Sequence, residues 1–341
     1  MMAARLPCPH FASWFQSKFC RVALATLPAR SVLYGVYGEA PMINRVVALE
    51  HIRRMRGGAQ SHLMRCSDGE DYVVKFQNNP QGSRILANEM LAGALATRLG
   101  LPAPEIAIVE VSNLLIEHTA ELVIHLGRGR FPCSPGSCFG SRYAWEPHPP
   151  GTRGVLAAYD FLPLDLMPRV TNLLDFAGML VFDKWTCNTD GRQVVFVRGV
   201  APRTYSVLMI DNGFCFNATE WNFPDAPLRG LYSLPYAYEA VLGIETFAPW
   251  LQLLERKFDK QSLAQAAEEI PREWHAQTSN TLPALLDKLE RRRASVVELL
   301  RSACARSPGH FRNWTGRPGL IQFESRYREP EGWAGELSGA A

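Results

Sequence analysis

The sequence predicts an α+β chain folded in two lobes, the first rich in strands and the second mainly helical. Three observations lead to this. The 341 residues are 47% hydrophobic and 20% charged, which suits a substantial core and two lobes. Short β-rich runs within 43–76 and 105–126 bracket one helical pattern at 83–99. From about residue 171 onward, apolar residues recur mostly at helical spacing, interrupted by one hairpin pattern that ends in Asp211.

Composition narrows the class. A net charge of +3 is too mild to argue for nucleic acid. No run approaches the length of apolar residues that spans a membrane. The eight cysteines include no CxxC pair and no zinc-site spacing, so scattered reduced thiols in a cytoplasmic protein are expected. Residues 1–41 hold basic residues and the short apolar patch Val22–Ala25, too broken for a signal peptide. The expectation is a poorly ordered extension, with natural translation starting at Met42.

Taken in order, residues 43–76 read as strands. Arg56–His62 is a small turn whose Gly57 and Gly58 let backbone approach a phosphate, and Ser61 adds a hydroxyl. It is no Walker-type loop. Asp71–Phe76 is a short strand with Lys75 near its end. The helix at 83–99 carries Ile85, Leu86, Met90, Ala94 and Leu95 at helical spacing and stops at Gly100. Glu89 falls on the apolar face, where a carboxylate needs a cation, and Lys75 is the nearest candidate. Ile106–Val111 and Leu114–Ile116 read as further strands. Residues 127–153, rich in Gly, Pro and aromatics, read as the connection between lobes. Val155–Phe161 resumes regular structure.

A second helix is expected over about Thr171–Trp185, leading into a polar loop where Asp183, Asn188 and Asp190 crowd. Gln193–Arg198 and the run ending at Asp211 form a hairpin, and Asn212-Gly213 is a tight-turn signal tolerant of positive φ. A carboxylate held at the mouth of a buried strand must be paired or bind a cation. An aromatic-rich loop runs from Phe214 to Asp225. Phe247, Trp250, Leu251, Leu254 and Phe258 form one later stripe, and 281–304 another, with Arg291–Arg293 a solvated face. Residues 306–341 read as a loose tail.

Tyr72–Phe76, Asn88-Glu89 with Leu99–Pro104, Phe182–Asp190 and Ile210–Gly213, in this order and spacing, resemble the HipA-like kinases, a bacterial branch of the protein-kinase-like fold. The resemblance spans about residues 45–300. It implies an N-lobe over 42–126, a helical C-lobe over 154–305, ATP and Mg²⁺ as cofactors, and phosphoryl transfer to a hydroxyl, often Ser or Thr of a protein. Lys75, oriented by Glu89, would hold the ATP phosphates, Gly57, Gly58 and Ser61 would cover them, and Asp211 would bind the metal. Such chemistry is mostly positioning and charge neutralisation.

The family's catalytic loop reads Asn-x-Asp with a metal-binding Asn five residues later. Asn188-Thr-Asp190 matches its first part, but the later Asn falls at Val195. Asp183 and Asn188, also five apart, satisfy the spacing of ordinary protein kinases. The string favours Asp190 as the catalytic aspartate, with Asp183 the alternative and Asn188 a substitute metal ligand. Val195 also keeps a nucleotide-binding pseudokinase open, and the aromatic loop keeps open a small-molecule kinase.

Overall fold

The computed structural model describes residues 43–144, 158–199, 201–276 and 281–316. The expectations for residues 1–41, and those parts of the inter-lobe stretch, of Val155–Phe161 and of the tail that fall at 145–157 and 317–341, lie outside the described residues. The chain divides into two units, Met1–Met42 and Ile43–Ala341, and every strand and helix named here belongs to the second.

The first lobe of that unit is a closed barrel. Strands β1 (Asn44–Arg54), β2 (His62–Cys66), β3 (Asp71–Lys75), β4 (Ile106–Val111), the hairpin β5 (Val123–Leu126) and β6 (Gly129–Pro132), and β7 (Gly136–Arg142) follow in sequence. The barrel order is β1-β2-β3-β7-β4, closed by a parallel β1–β4 pairing. Met64, Val74, Phe76, Val109 and Cys138 fill the interior. Two expectations are corrected here. Leu114–Ile116 is not a strand but part of the short helix α2 (Asn113–Glu117), because the Ser112 hydroxyl accepts the Leu115 N–H and caps a helical turn. Part of the stretch expected to be inter-lobe loop is β7, sandwiched between β3 and β4, and Cys133 and Cys138 are buried in the barrel.

Helix α1 (Arg84–Arg98) lies between this barrel and the second lobe. Every residue from Arg84 to Gly93 is buried, polar ones included. A helix enclosed on all sides must satisfy its polar side chains internally. Arg84, Asn88 and Glu89 are therefore bound to partners rather than water.

In the second lobe, helix α3 (Asp175–Thr186) is buried along its whole length and closes on Cys187 in the left-handed conformation, φ 53°. It starts later than the expected Thr171 because Asn172 bonds both Asp175 and the Val207 N–H, tying residues 171–174 to the neighbouring strand. Strands β8 (Ala158–Tyr159), β9 (Gln193–Arg198) and β10 (Tyr205–Ile210) form a sheet in the order β10-β9-β8. Helices α4 (Ala248–Lys257), α5 (Lys260–Ala267), α6 (Leu282–Arg292) and α7 (Val296–Arg306) complete the lobe. The Arg291–Arg293 stretch is not a uniform solvated face. Arg292 is buried, donates to the Lys184 carbonyl at 2.9 Å and stacks on Phe223.

One buried histidine makes the barrel pH-sensitive. His62 is fully enclosed and within 3.1 Å of the His51 ring. Burial, and then the neighbouring His51, pull its pKa down to about 4. The folded pKa lies below the unfolded one, so the unfolded chain binds the extra proton as pH falls from about 6.5 toward 4. Stability is expected to hold above that window and to fall within it by on the order of 3 kcal/mol. Melting curves across pH 4–7, with His62→Gln as the flattened control, check this.

Candidate active site

The site begins with strand register. His62 pairs with Val74, so the turn joining β1 to β2 lies at the end of the barrel where Lys75 closes β3. That turn is Met55–Ser61. Gln60 pins it, exchanging two hydrogen bonds with the His125 backbone. Gly58 lies so close to Gln81 that a Cβ there would fall 2.9 Å from the Gln81 amide nitrogen. Ser61 is buried at the head of β2.

Lys75 reaches inward from β3 and forms an ion pair with Glu89 of α1. Its Nζ also donates to Asp211 Oδ1 at 2.7 Å. The second Glu89 oxygen accepts the Asn212 N–H at 2.9 Å. Strand β3, helix α1 and the end of β10 thus converge on one ammonium. Lys75 and Glu89 are buried, whereas the Asp211 side chain keeps 32% of its surface exposed. Burial alone would lower the Lys75 pKa, but Glu89 and Asp211 outweigh it and hold the ammonium above its ordinary value. Burial pushes the Glu89 carboxyl up against the pull of Lys75. At Asp211 burial acts upward too, and Lys75 beside it prevails, holding the carboxyl below its usual range. Two carboxylates share one ammonium, which leaves a net negative charge in a largely closed place.

The turn after β10 is built otherwise than its Asn-Gly signal implies. The left-handed residue is Asp211 itself, φ 55°. Gly213 serves close approach, since a Cβ there would stand 2.6 Å from Ile85 Cγ2 and 3.3 Å from a Glu89 oxygen. The loop can lie on α1 only because residue 213 has no side chain.

The polar loop after α3 separates its two aspartates. Asp183 is wholly enclosed and spends both oxygens on the Arg192 guanidinium, with a further bond from Asn188 Nδ2 at 3.0 Å. Arg192 also donates to the Ile210 carbonyl and to Asn212 Oδ1, at 3.0 and 2.9 Å. Asn188 is buried, and its own Oδ1 accepts the Asp190 N–H. Asp190, by contrast, is exposed at a cavity of about 360 Å³ whose walls include Thr189, Phe214, Ala218, Thr219 and Arg229. Thr189 donates to the Phe214 carbonyl at 3.1 Å and Phe216 to that of Thr186 at 2.6 Å, which joins this loop to the segment following Asp211. Of the aromatic loop, Phe216 and Trp221 are core residues rather than cavity lining.

Arg192 was not among the residues that the sequence singled out. Its only local signal is a basic residue two places after Asp190, and its partners stand 9, 18 and 20 residues away. Val195 lies in β9 opposite Leu208 and offers no ligand atom.

Residues 48–195 match the family model HipA-like kinase. The resemblance read from the sequence is borne out over this segment, which is similar to the HipA-like kinases. It runs from β1 to Val195 and includes Lys75, Glu89, Asp183, Asn188 and Asp190, while Asp211 lies beyond it. No curated protein matches the chain. Among solved structures it is similar to the Helicobacter pylori proinflammatory kinase CtkA, with 14% identity and a TM-score of 0.46 over 77% of this chain and 99% of that one. It is also similar to the Golgi casein kinase with Mn/ADP bound, with 14% identity and a TM-score of 0.41 over 78% and 74%. A third is Shewanella oneidensis MR-1 HipA, in complex with HipB and operator DNA, with 12% identity and a TM-score of 0.37 over 76% and 68%. The described residues form the expected α+β arrangement of a strand-rich lobe and a mainly helical one. Among the described residues, no helix is long and apolar enough to cross a membrane.

Proposed function

We propose that the chain is an ATP-dependent kinase that transfers the γ-phosphoryl group to a hydroxyl, with Ser or Thr of a protein as acceptor. The observation that carries this is Lys75 held between Glu89 and Asp211, three residues from separate elements meeting at one ammonium. Lys75 would hold the ATP phosphates, and Gly57, Gly58 and Ser61 would cover them. Asp211 suits Mg²⁺: it is the partly exposed carboxylate of a site with net negative charge, and Mg²⁺ takes one or two carboxylates plus phosphate oxygens. The ion would neutralise phosphate charge when bound. Asn188 suits it less, because its amide already binds Asp183 and the Asp190 N–H. Asp190 is the catalytic aspartate, accepting the proton of the acceptor hydroxyl as that oxygen bonds the γ-phosphorus and ADP leaves. Asp183 supports the loop by holding Arg192. The six cysteines among the described residues are free and buried, which suits a reducing cytoplasm.

A second reading is a nucleotide-binding pseudokinase, favoured by the apolar Val195 where the family's metal-binding Asn is expected. Incubation of the purified chain with labelled ATP and Mg²⁺ decides between them. Label transfer or phosphate release is expected, and ATP binding with no turnover would establish the second reading. Asp190→Asn is expected to lower turnover by at least about 10²-fold with an unchanged melting temperature. Asp183→Ala strands the buried Arg192 charge and should cost about 3–5 kcal/mol of stability. If Asp190→Asn turns over like the parent, the role passes to another residue.

A further inference from the structure

We propose that Asn88 is a positioning residue that holds the segment Asp211–Trp221 permanently assembled, so that phosphoryl transfer needs no modification of that segment. This rests on the kinase reading above and concerns its regulation.

Asn88 is fully buried on α1, next to Glu89. Its Nδ2 lies 2.7 Å from the Gly213 carbonyl, 3.2 Å from that of Cys215 and 2.8 Å from that of Ala218. Its Oδ1 accepts the Trp221 Nε1–H at 2.7 Å. One amide therefore collects four points of a segment more than 120 residues away in the chain. One helical turn earlier, Arg84 bonds the Thr219 carbonyl and stacks over Trp221 at 4.2 Å. Lys288 of α6 donates to the Trp221 carbonyl at 2.9 Å, so both lobes grip the far end.

The backbone between these anchors has a conformation that the chain does not choose by itself. Phe216, Asn217 and Ala218 are all left-handed, at φ 61°, 57° and 54°. Asparagine tolerates this, but phenylalanine and alanine do not readily. Such a run persists only where surroundings over-determine it, and Asn88 binds the carbonyl at its end. The held segment has two functional edges. Asp211–Gly213 carries the proposed metal ligand, and Ala218 and Thr219 line the cavity beside Asp190. Asn88 thereby couples the metal side of the site to the acceptor side.

The test uses the full chain, ATP hydrolysis with Mg²⁺, metal-free ATP binding, and chymotrypsin, whose preferred residues include Phe214, Phe216 and Trp221. For Asn88→Ala we expect half-saturating Mg²⁺ to rise about ten-fold and cleavage within 214–221 to quicken about ten-fold relative to cleavage elsewhere, as loss of a buried hydrogen-bond hub implies. Metal-free ATP binding, which depends on Lys75 and Glu89, should stay within about three-fold. Phosphatase treatment of the parent should leave turnover unchanged. The proposal is overturned if phosphatase abolishes turnover, if Asn88→Ala matches the parent in cleavage, or if cleavage quickens everywhere alike. Should Asn88→Ala fail to fold, Trp221→Phe, which keeps the ring and loses the Nε1–H bond, must show the same selective cleavage, and its absence overturns the proposal. If the parent neither transfers label nor hydrolyses ATP, the kinase reading fails, and the cleavage ratio still decides whether Asn88 clamps the segment.

Discussion

Asp211→Asn is expected to abolish phosphoryl transfer, by at least about 10³-fold, while leaving the chain folded. Asparagine is chosen because residue 211 is left-handed, and asparagine accepts that conformation where alanine would add strain. The substitution removes charge and little else. It also relieves the competition of two carboxylates for one ammonium, so stability should hold or rise slightly. Metal-free ATP binding should survive, because Lys75 keeps Glu89. Labelled-ATP transfer, calorimetric ATP binding with and without Mg²⁺, and a melting curve check all three statements. Transfer at the parent rate would remove Asp211 from the mechanism.

Lys75→Met is expected to have the larger effect on the fold. It leaves the buried Glu89 beside Asp211 with no cation between them. Breaking a buried pair from one side costs about 3–5 kcal/mol. The Glu89 carboxyl is already held above its ordinary value and rises further without Lys75. An acid whose folded pKa exceeds its unfolded one destabilises at high pH, and the cost is relieved as pH falls through the folded pKa. Relative to the parent at the same pH, Lys75→Met should thus lose most stability near neutrality, and the difference should shrink toward acid. Lys75→Met/Glu89→Gln should regain most of the loss at neutral pH yet bind no ATP. Denaturant melts at several pH values with paired nucleotide titrations measure both. A single mutant as stable as the parent would mean that the pair does not bear on the fold.

Much of this protein is legible in one dimension. The period of apolar residues located α1 and placed Glu89 on its buried face. Turn residues and β-branched runs located β3, β9 and β10. The spacing of four short strings indicated the HipA-like resemblance, which the family match over 48–195 bears out for the first three, Ile210–Gly213 lying beyond it. Burial and period are local properties, and local properties are written in neighbouring residues. The same logic failed at Leu114–Ile116, where a serine cap outweighed strand-forming side chains, and at β7, whose two glycines and the preceding Pro132 and Pro135 hid a strand sandwiched inside a barrel.

What tertiary structure alone decided is which polar groups meet. Asp183 and Asp190 are alike by type, with spacing favouring the first and the local string the second, and only the tertiary fold encloses one with Arg192 and leaves the other at a cavity. Arg292 is buried where its neighbours imply solvent, and Asn88 acquires partners 125 to 133 residues away. A buried charge or amide must find a complement, yet which one it finds depends on where the chain passes next. Periodicity determines that a residue goes inside, and packing between distant segments determines what it touches there.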